Sequence, residues 1–167
     1  LADLIALRAN EQPDLDVLTF EHLSLDGGAT PDEVRTYADL AENANRLAAG
    51  LIARGMAKGD RFALMARNHP EFVEAMIAAS ISATVCVPVD PRTKGDKLAF
   101  MLANAGCSGV VCSDGSLEQV AVARDRTGGI DWVLVIEAGE ADAVPLDSLS
   151  ATAARGVEPI AAVLDTP

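Results

Sequence analysis

Apolar positions change their period along this chain, and the changes predict its elements. Between residues 37 and 52, Tyr37, Leu40, Ala41, Ala44, Leu47, Ala48, Leu51 and Ile52 recur at steps of three and four. That spacing lays them along one stripe of a helix. Thr36 stands where a cap belongs, Asp39 follows at the third helical position, and Gly55 supplies the stop. Arg61-Phe62-Ala63-Leu64-Met65-Ala66 then reads as a strand. Asn68-His69-Pro70-Glu71 reads as a capping box entering a helix that runs to about residue 82, with Phe72, Val73, Met76 and Ile77 facing inward. A strand follows at about 84–89, and a helix at about 94–105 carries Leu98, Met101, Leu102 and Ala105 on one side. Gly109-Val110-Val111-Cys112 is the next strand. Asp114-Gly115-Ser116 turns into a helix near 117–125, and Trp132–Ile136 is a further strand.

Before this series, residues 1–11 predict a short amphipathic helix with Leu4, Ile5 and Arg8 on one face, closed by Pro13. Val17–Phe20 is a strand candidate, Asp26-Gly27-Gly28 a turn, and Arg35-Thr36 a short antiparallel return. After Ile136 the pattern fades into an acidic loop at Glu137, Glu140 and Asp142. Leu146–Leu149 makes a helical turn, and 151–167 has no clear period. Strand and helix alternate at short intervals, which argues an α/β fold: a doubly wound, mostly parallel sheet with flanking helices and a short antiparallel hairpin near the N-terminus. The length fits a single domain over 1–167, with 137–167 as a weakly structured tail.

Half of the 167 residues are hydrophobic and 23% are charged, a composition that buries a core rather than staying disordered. Net charge is −12, from 25 acidic and 13 basic residues. So negative a surface disfavours nucleic-acid phosphates and anionic lipid as partners, and no apolar stretch is long enough to span a membrane. Cys86, Cys107 and Cys112 are an odd set in or beside apolar segments, with no histidine nearby. They read as small buried hydrophobes in a reducing, cytoplasmic setting, and no metal site is expected. The chain begins without methionine, which suggests a trimmed start.

Motifs that would carry chemistry are few. There is no G-x-G-x-x-G after a strand, no G-x-x-x-x-G-K-[ST] loop and no G-x-S-x-G elbow. His22 reads as part of an exposed strand and His69 as a helix-entrance residue, and neither has a ligand-spaced partner. No catalytic residue is therefore assigned. Val87-Pro88-Val89-Asp90-Pro91-Arg92-Thr93 stands apart. Two prolines stiffen the exit from a strand and present Asp90 and Arg92 just beyond its carboxyl end, where open parallel sheets bind ligands. The plain alternative is that Asp90 orders the turn and Arg92 pairs with a surface neighbour.

Five tracts in order carry a resemblance: Thr36-Tyr37-x-x-Leu40, Asn45-Arg46-Leu47-Ala48, Lys58-Gly59-Asp60-Arg61, Asn68-x-Pro70-Glu71-Phe72 and Val87–Arg92. Together they resemble the amino-terminal region of the adenylate-forming superfamily, of the acyl-CoA synthetase type, over about residues 1–136. Ala83 stands where that family usually has glycine, and its methyl is expected to tighten helix–strand packing. The resemblance implies an enzyme that uses ATP, Mg²⁺ and CoA to turn a carboxylic acid into an acyl-adenylate and then a thioester. It implies a CoA-phosphate contact for Arg92. It also places the ATP phosphate loop just after Val163–Pro167, so the chain reads as an amino-terminal fragment, inactive alone. Two alternatives stand beside it: a fragment of an amino-acid-activating domain that serves a carrier protein, and a free-standing α/β interaction module. Helices 70–82 and 94–105 carry more apolar residues than one stripe needs, Phe100 among them. The fragment is therefore expected to form a homo-oligomer through a shared apolar face.

Overall fold

The structure, a computed structural model, describes residues 1–21, 31–137 and 156–165. Helix α1 (Ala2–Glu11) leads into an antiparallel pair, β1 (Asp16–Phe20) and β2 (Glu33–Thr36). Then follow α2 (Tyr37–Ala53), β3 (Arg61–Met65), α3 (Pro70–Ser82), β4 (Val85–Pro88), α4 (Gly95–Ala105) and β5 (Cys107–Ser113). A 3-10 turn at Asp114–Ser116 enters α5 (Leu117–Thr127), and β6 (Trp132–Ile136), β7 (Val157–Pro159) and α6 (Ile160–Leu164) complete the described chain. The turn expected at Asp26–Gly28, His22, and the helical turn at Leu146–Leu149 lie outside the described residues.

Five strands pair in parallel in the order β4-β3-β5-β6-β7. Alternate residues of each inner strand point to opposite faces, so both faces need cover. Phe62, Leu64, Val111, Leu134 and Ile136 meet α2, α3 and α6 on one face. Ala63, Met65, Val110, Cys112, Val133 and Val135 meet α4 and α5 on the other. This is the doubly wound α/β arrangement that the alternation predicts.

Local chemistry explains most boundaries. Thr36 and Asp39 form the expected capping box: the Thr36 hydroxyl accepts from the Asp39 N–H, and the Asp39 carboxylate accepts from the Thr36 N–H. At α3 the expected box is absent. His69 is the N-cap, makes no side-chain cap bond, and Pro70 starts the helix instead. A proline there has no N–H to satisfy and arrives with its φ already set, so the entrance needs no cap acceptor for it.

The apolar stripe of α2 buries Leu40, Ala44, Leu47, Ala48 and Leu51, but Ile52 is exposed. In α3, Ile77 is buried and Phe72 and Val73 half-buried, while Met76 faces outward; the tight side is alanine, at Ala75, Ala78 and Ala79. Small side chains let α3 lie close to the sheet, and a search for large residues overlooks them. In α1, Ile5 is buried and Leu4 is exposed.

Further features stand outside the pattern. Ala83 is exposed and does not tighten packing; it ends α3 in the left-handed region at φ 55°, where a Cβ is a burden. Where 151–167 shows no clear period in the sequence, the described residues of that stretch form β7 and α6. Finally, α3 and α4 lie on opposite faces of the sheet, so they do not build one shared apolar face. Their outward residues, Met76 and Phe100, are exposed, as is Val85 in β4, the edge strand of the sheet.

Candidate functional site

The strand order decides where a ligand can sit. From β3 the chain steps outward to β4, then crosses back over β3 to β5, so the winding reverses between β3 and β5. Loops leaving such a pair splay apart and open a crevice at the carboxyl ends of the strands. Here the loops are Ala66–His69 after β3 and Asp114–Ser116 after β5. They bring an exposed Arg67 to the same end of the sheet as Asp114, whose carboxylate accepts the Gly115 N–H at 2.8 Å. Ser113, the last residue of β5, is wholly buried and its Oγ has no hydrogen-bond partner among the described residues. The sequence pattern points to neither Arg67 nor Ser113, because the strand order that makes this the switch point is a tertiary property.

Asp90 and Arg92 stand one strand away, beyond the edge strand. Val89 N–H still donates to Leu64 O at 2.9 Å, which carries β4's pairing with β3 one residue past Pro88. The chain then turns, with Thr93 N–H donating to Asp90 O at 2.9 Å. Asp90 Oδ1 accepts the Arg92 N–H at 2.8 Å and Arg92 Nε at 3.0 Å, and Oδ2 accepts Arg92 Nη2 at 2.7 Å. The guanidinium fork and the backbone N–H hold the Asp90 carboxyl at about 2, well below the ordinary aspartate range. Arg92 is nonetheless 85% exposed, and only two of its roughly five guanidinium N–H donors are engaged. The turn therefore does two things: it closes on Asp90, and it holds a guanidinium edge toward solvent.

A cleft of about 440 Å³ opens between the hairpin and the ends of β3 and β6, lined by Glu21, Glu33, Glu71, Glu137, Asn68 and His69 among others. Burial, with Glu74 and Glu33 nearby, pushes the Glu71 carboxyl above its ordinary range. Among the described residues no lysine or arginine lines this cleft, and its carboxylates disfavour a phosphate there. Beside it lies a structural hub. Glu74, completely buried, accepts from Arg35 Nε and Asn43 Nδ2, both at 2.9 Å, and Arg35 Nη2 also reaches Glu33 at 2.6 Å. This hub ties β2 to α2 and α3, and the sequence gives no sign of it. All three cysteines are free thiols; Cys107 and Cys112 are buried and Cys86 is half-buried. Burial, with Cys107 adjacent, pushes the Cys86 thiol up to about 11, so it stays protonated near neutrality.

A family model described as AMP-binding enzyme matches residues 5–162. The chain belongs to that family. Among curated relatives, a feruloyl-CoA synthase of Amycolatopsis is 37% identical over 109 residues, covering 65% of this chain and 21% of the relative. A medium/long-chain-fatty-acid–CoA/3-oxocholest-4-en-26-oate–CoA ligase of Mycobacterium marinum is 33% identical over 108 residues, 65% of this chain and 20% of the relative. The match thus spans about a fifth of the length of these curated relatives. A solved chain from Rhodopseudomonas palustris, described as a long-chain-fatty-acid CoA ligase, superposes with TM-score 0.75 at 26% identity over 99% of this chain and 36% of that one. A long-chain-fatty-acid-CoA ligase of Archaeoglobus fulgidus shares the fold at TM-score 0.75 and 20% identity, over 98% of this chain and 29% of that one. The described residues hold no group of three His, Cys, Asp or Glu able to bind a metal ion. No described helix is long and apolar enough to cross a membrane.

Proposed function

We propose that the chain is the amino-terminal lobe of a longer, AMP-forming acyl-CoA synthetase. In that enzyme a carboxylic acid and ATP give an acyl-adenylate and pyrophosphate, and the CoA thiol then displaces AMP to form a thioester. The family match over residues 5–162 carries the reading, and the CoA-ligating relatives favour CoA over a carrier protein as acceptor.

Within it, Arg92 contacts a phosphate of CoA. Asp90 holds the guanidinium by one edge, and the remaining donors are free to bind an anionic oxygen without a further loss of side-chain freedom. Asp90 also opposes an incoming phosphate by its charge, so the contact is a moderate one. The adenylation chemistry needs donors and magnesium around the ATP phosphates, and the described residues supply neither a glycine-rich cradle nor a metal-ligand cluster. The 167-residue chain alone is accordingly inactive. We place the enzyme in the cytoplasm, in keeping with its three unpaired thiols. For the isolated chain we further propose a homo-oligomer through the β4 edge.

The acceptor is tested by supplying the longer enzyme with ATP, a panel of aryl and fatty acids, and free CoA. Formation of an acyl-CoA thioester is the expected result. Acylation of a carrier protein with no thioester on free CoA would overturn the CoA reading and leave the adenylating one.

A further inference from the structure

Three residues of α2, Glu42, Arg46 and Gly50, and its C-cap Arg54 follow at steps of four along one line of the helix. Each of the last three meets a different part of the β7–α6 segment. Arg46 Nη1 donates to the carbonyl of Leu164, in the last turn of α6, at 2.7 Å, while its Nη2 pairs with Glu42 at 2.7 Å. Gly50 is where Val163 comes to rest: a Cβ there would lie 2.4 Å from Val163 Cγ1. Arg54 Nη2 pairs with Glu158 in β7, and its Nη1 donates back to Gly50 O at 2.9 Å. A helix carbonyl, an isopropyl group and a carboxylate are thus each received by a matching partner. Arg46 also belongs to the tract Asn45–Ala48, which Arg92 and the switch point leave without a role.

We propose that Arg46 and Gly50 are positioning residues. With Glu42 and Arg54 they clasp β7–α6 onto α2, and so fix the course of the chain leaving Leu164 toward the ATP phosphate loop. The direction toward that loop rests on the reading under Proposed function; the clasp itself does not. An arginine on the last carbonyls of α6 also suits the negative end of that short helix. Ile160 and Val163 are buried against Leu47 and Leu51, but five residues of helix bury too little to be held by packing alone.

Two variants separate the clasp from general stability. Gly50 has an ordinary helical φ, so Gly50→Ala favours α2 itself while its methyl pushes Val163 away. Arg46→Ala removes the carbonyl contact and leaves the core untouched. Amide hydrogen exchange on the 167-residue chain is the first readout. Both variants are expected to exchange the Leu164 and Asp165 amides roughly ten-fold faster, with β3 and β5 protection unchanged. Unchanged exchange at 164–165 in both variants would overturn the clasp. The second readout is pyrophosphate exchange in the longer enzyme, where both variants raise KM for ATP about five-fold or more and leave KM for the carboxylic acid unaltered. Faster exchange at Leu164 and Asp165 with an unchanged KM for ATP would overturn the positioning role. A wild-type enzyme with no pyrophosphate exchange would sink the functional reading instead, and the clasp would be decided on hydrogen exchange alone.

Discussion

One substitution separates the proposed CoA contact of Arg92 from its place in the turn. In the longer enzyme Arg92→Ala is expected to raise KM for CoA several-fold to tens-fold, as about 1–2 kcal/mol of phosphate contact implies. The adenylation half-reaction should barely change; equal losses in both would make Arg92 a turn-ordering residue only. Its partner reports on the same turn. Asp90's folded pKa is depressed to about 2 by Arg92, so its contribution is fully present above the unfolded value and lost as pH falls from about 4 toward 2. A carboxyl titration followed by NMR should place Asp90 near 2 in the wild type and back in the ordinary range in Arg92→Ala. Ala83 gives a second residue-scale test. Exchange for glycine relieves the left-handed backbone at a site with no buried contacts to lose, and should stabilise the chain by about 0.5–1 kcal/mol in thermal melts. The turn at Asp90 and Arg92 was legible because Pro88 and Pro91, two positions before and one after Asp90, stiffen the chain there. Glu74 and Arg35, 39 residues apart, were not, since nothing local marks a charge that will be buried.

Among the elements, periodicity was enough wherever a helix or strand was long enough to express it. The α2 stripe, its Thr36–Asp39 cap and β6 all fall where the pattern puts them. It failed at β7, three residues long and ending in Pro159, where no period can develop and only pairing with β6 defines a strand. It also stopped short at β5, which begins at Cys107, two residues before the apolar run. The reason Gly109 sits inside that strand is equally invisible locally: the indole of Trp132 on the neighbouring strand occupies the place of its Cβ, 2.0–2.3 Å away. Gly109→Ala therefore forces Trp132 or the strand to move, and about 1–3 kcal/mol of stability should be lost in chemical denaturation. A midpoint equal to wild type would mean that the β5–β6 contact is looser than described.

For the whole molecule, alternation of strands and helices gave the class but not the order β4-β3-β5-β6-β7, and with the order went the switch point and the faces on which α3 and α4 lie. That order leaves β4 at an edge of the sheet, with its Val85 exposed. An edge strand with an exposed apolar side chain favours pairing with a second copy, against a net charge of −12. Light scattering at micromolar concentration should find a dimer or larger species, and a monomer that binds no hydrophobic dye would refute the exposed edge. The central claim is that this lobe belongs to an enzyme that adenylates carboxylic acids and cannot do so alone. ATP–pyrophosphate exchange, measured side by side on the longer enzyme and on the 167-residue chain with the same acids, tests it most directly. The account predicts acid-dependent exchange by the first and none by the second; exchange by the 167-residue chain, or none by the longer enzyme with any acid, would contradict it.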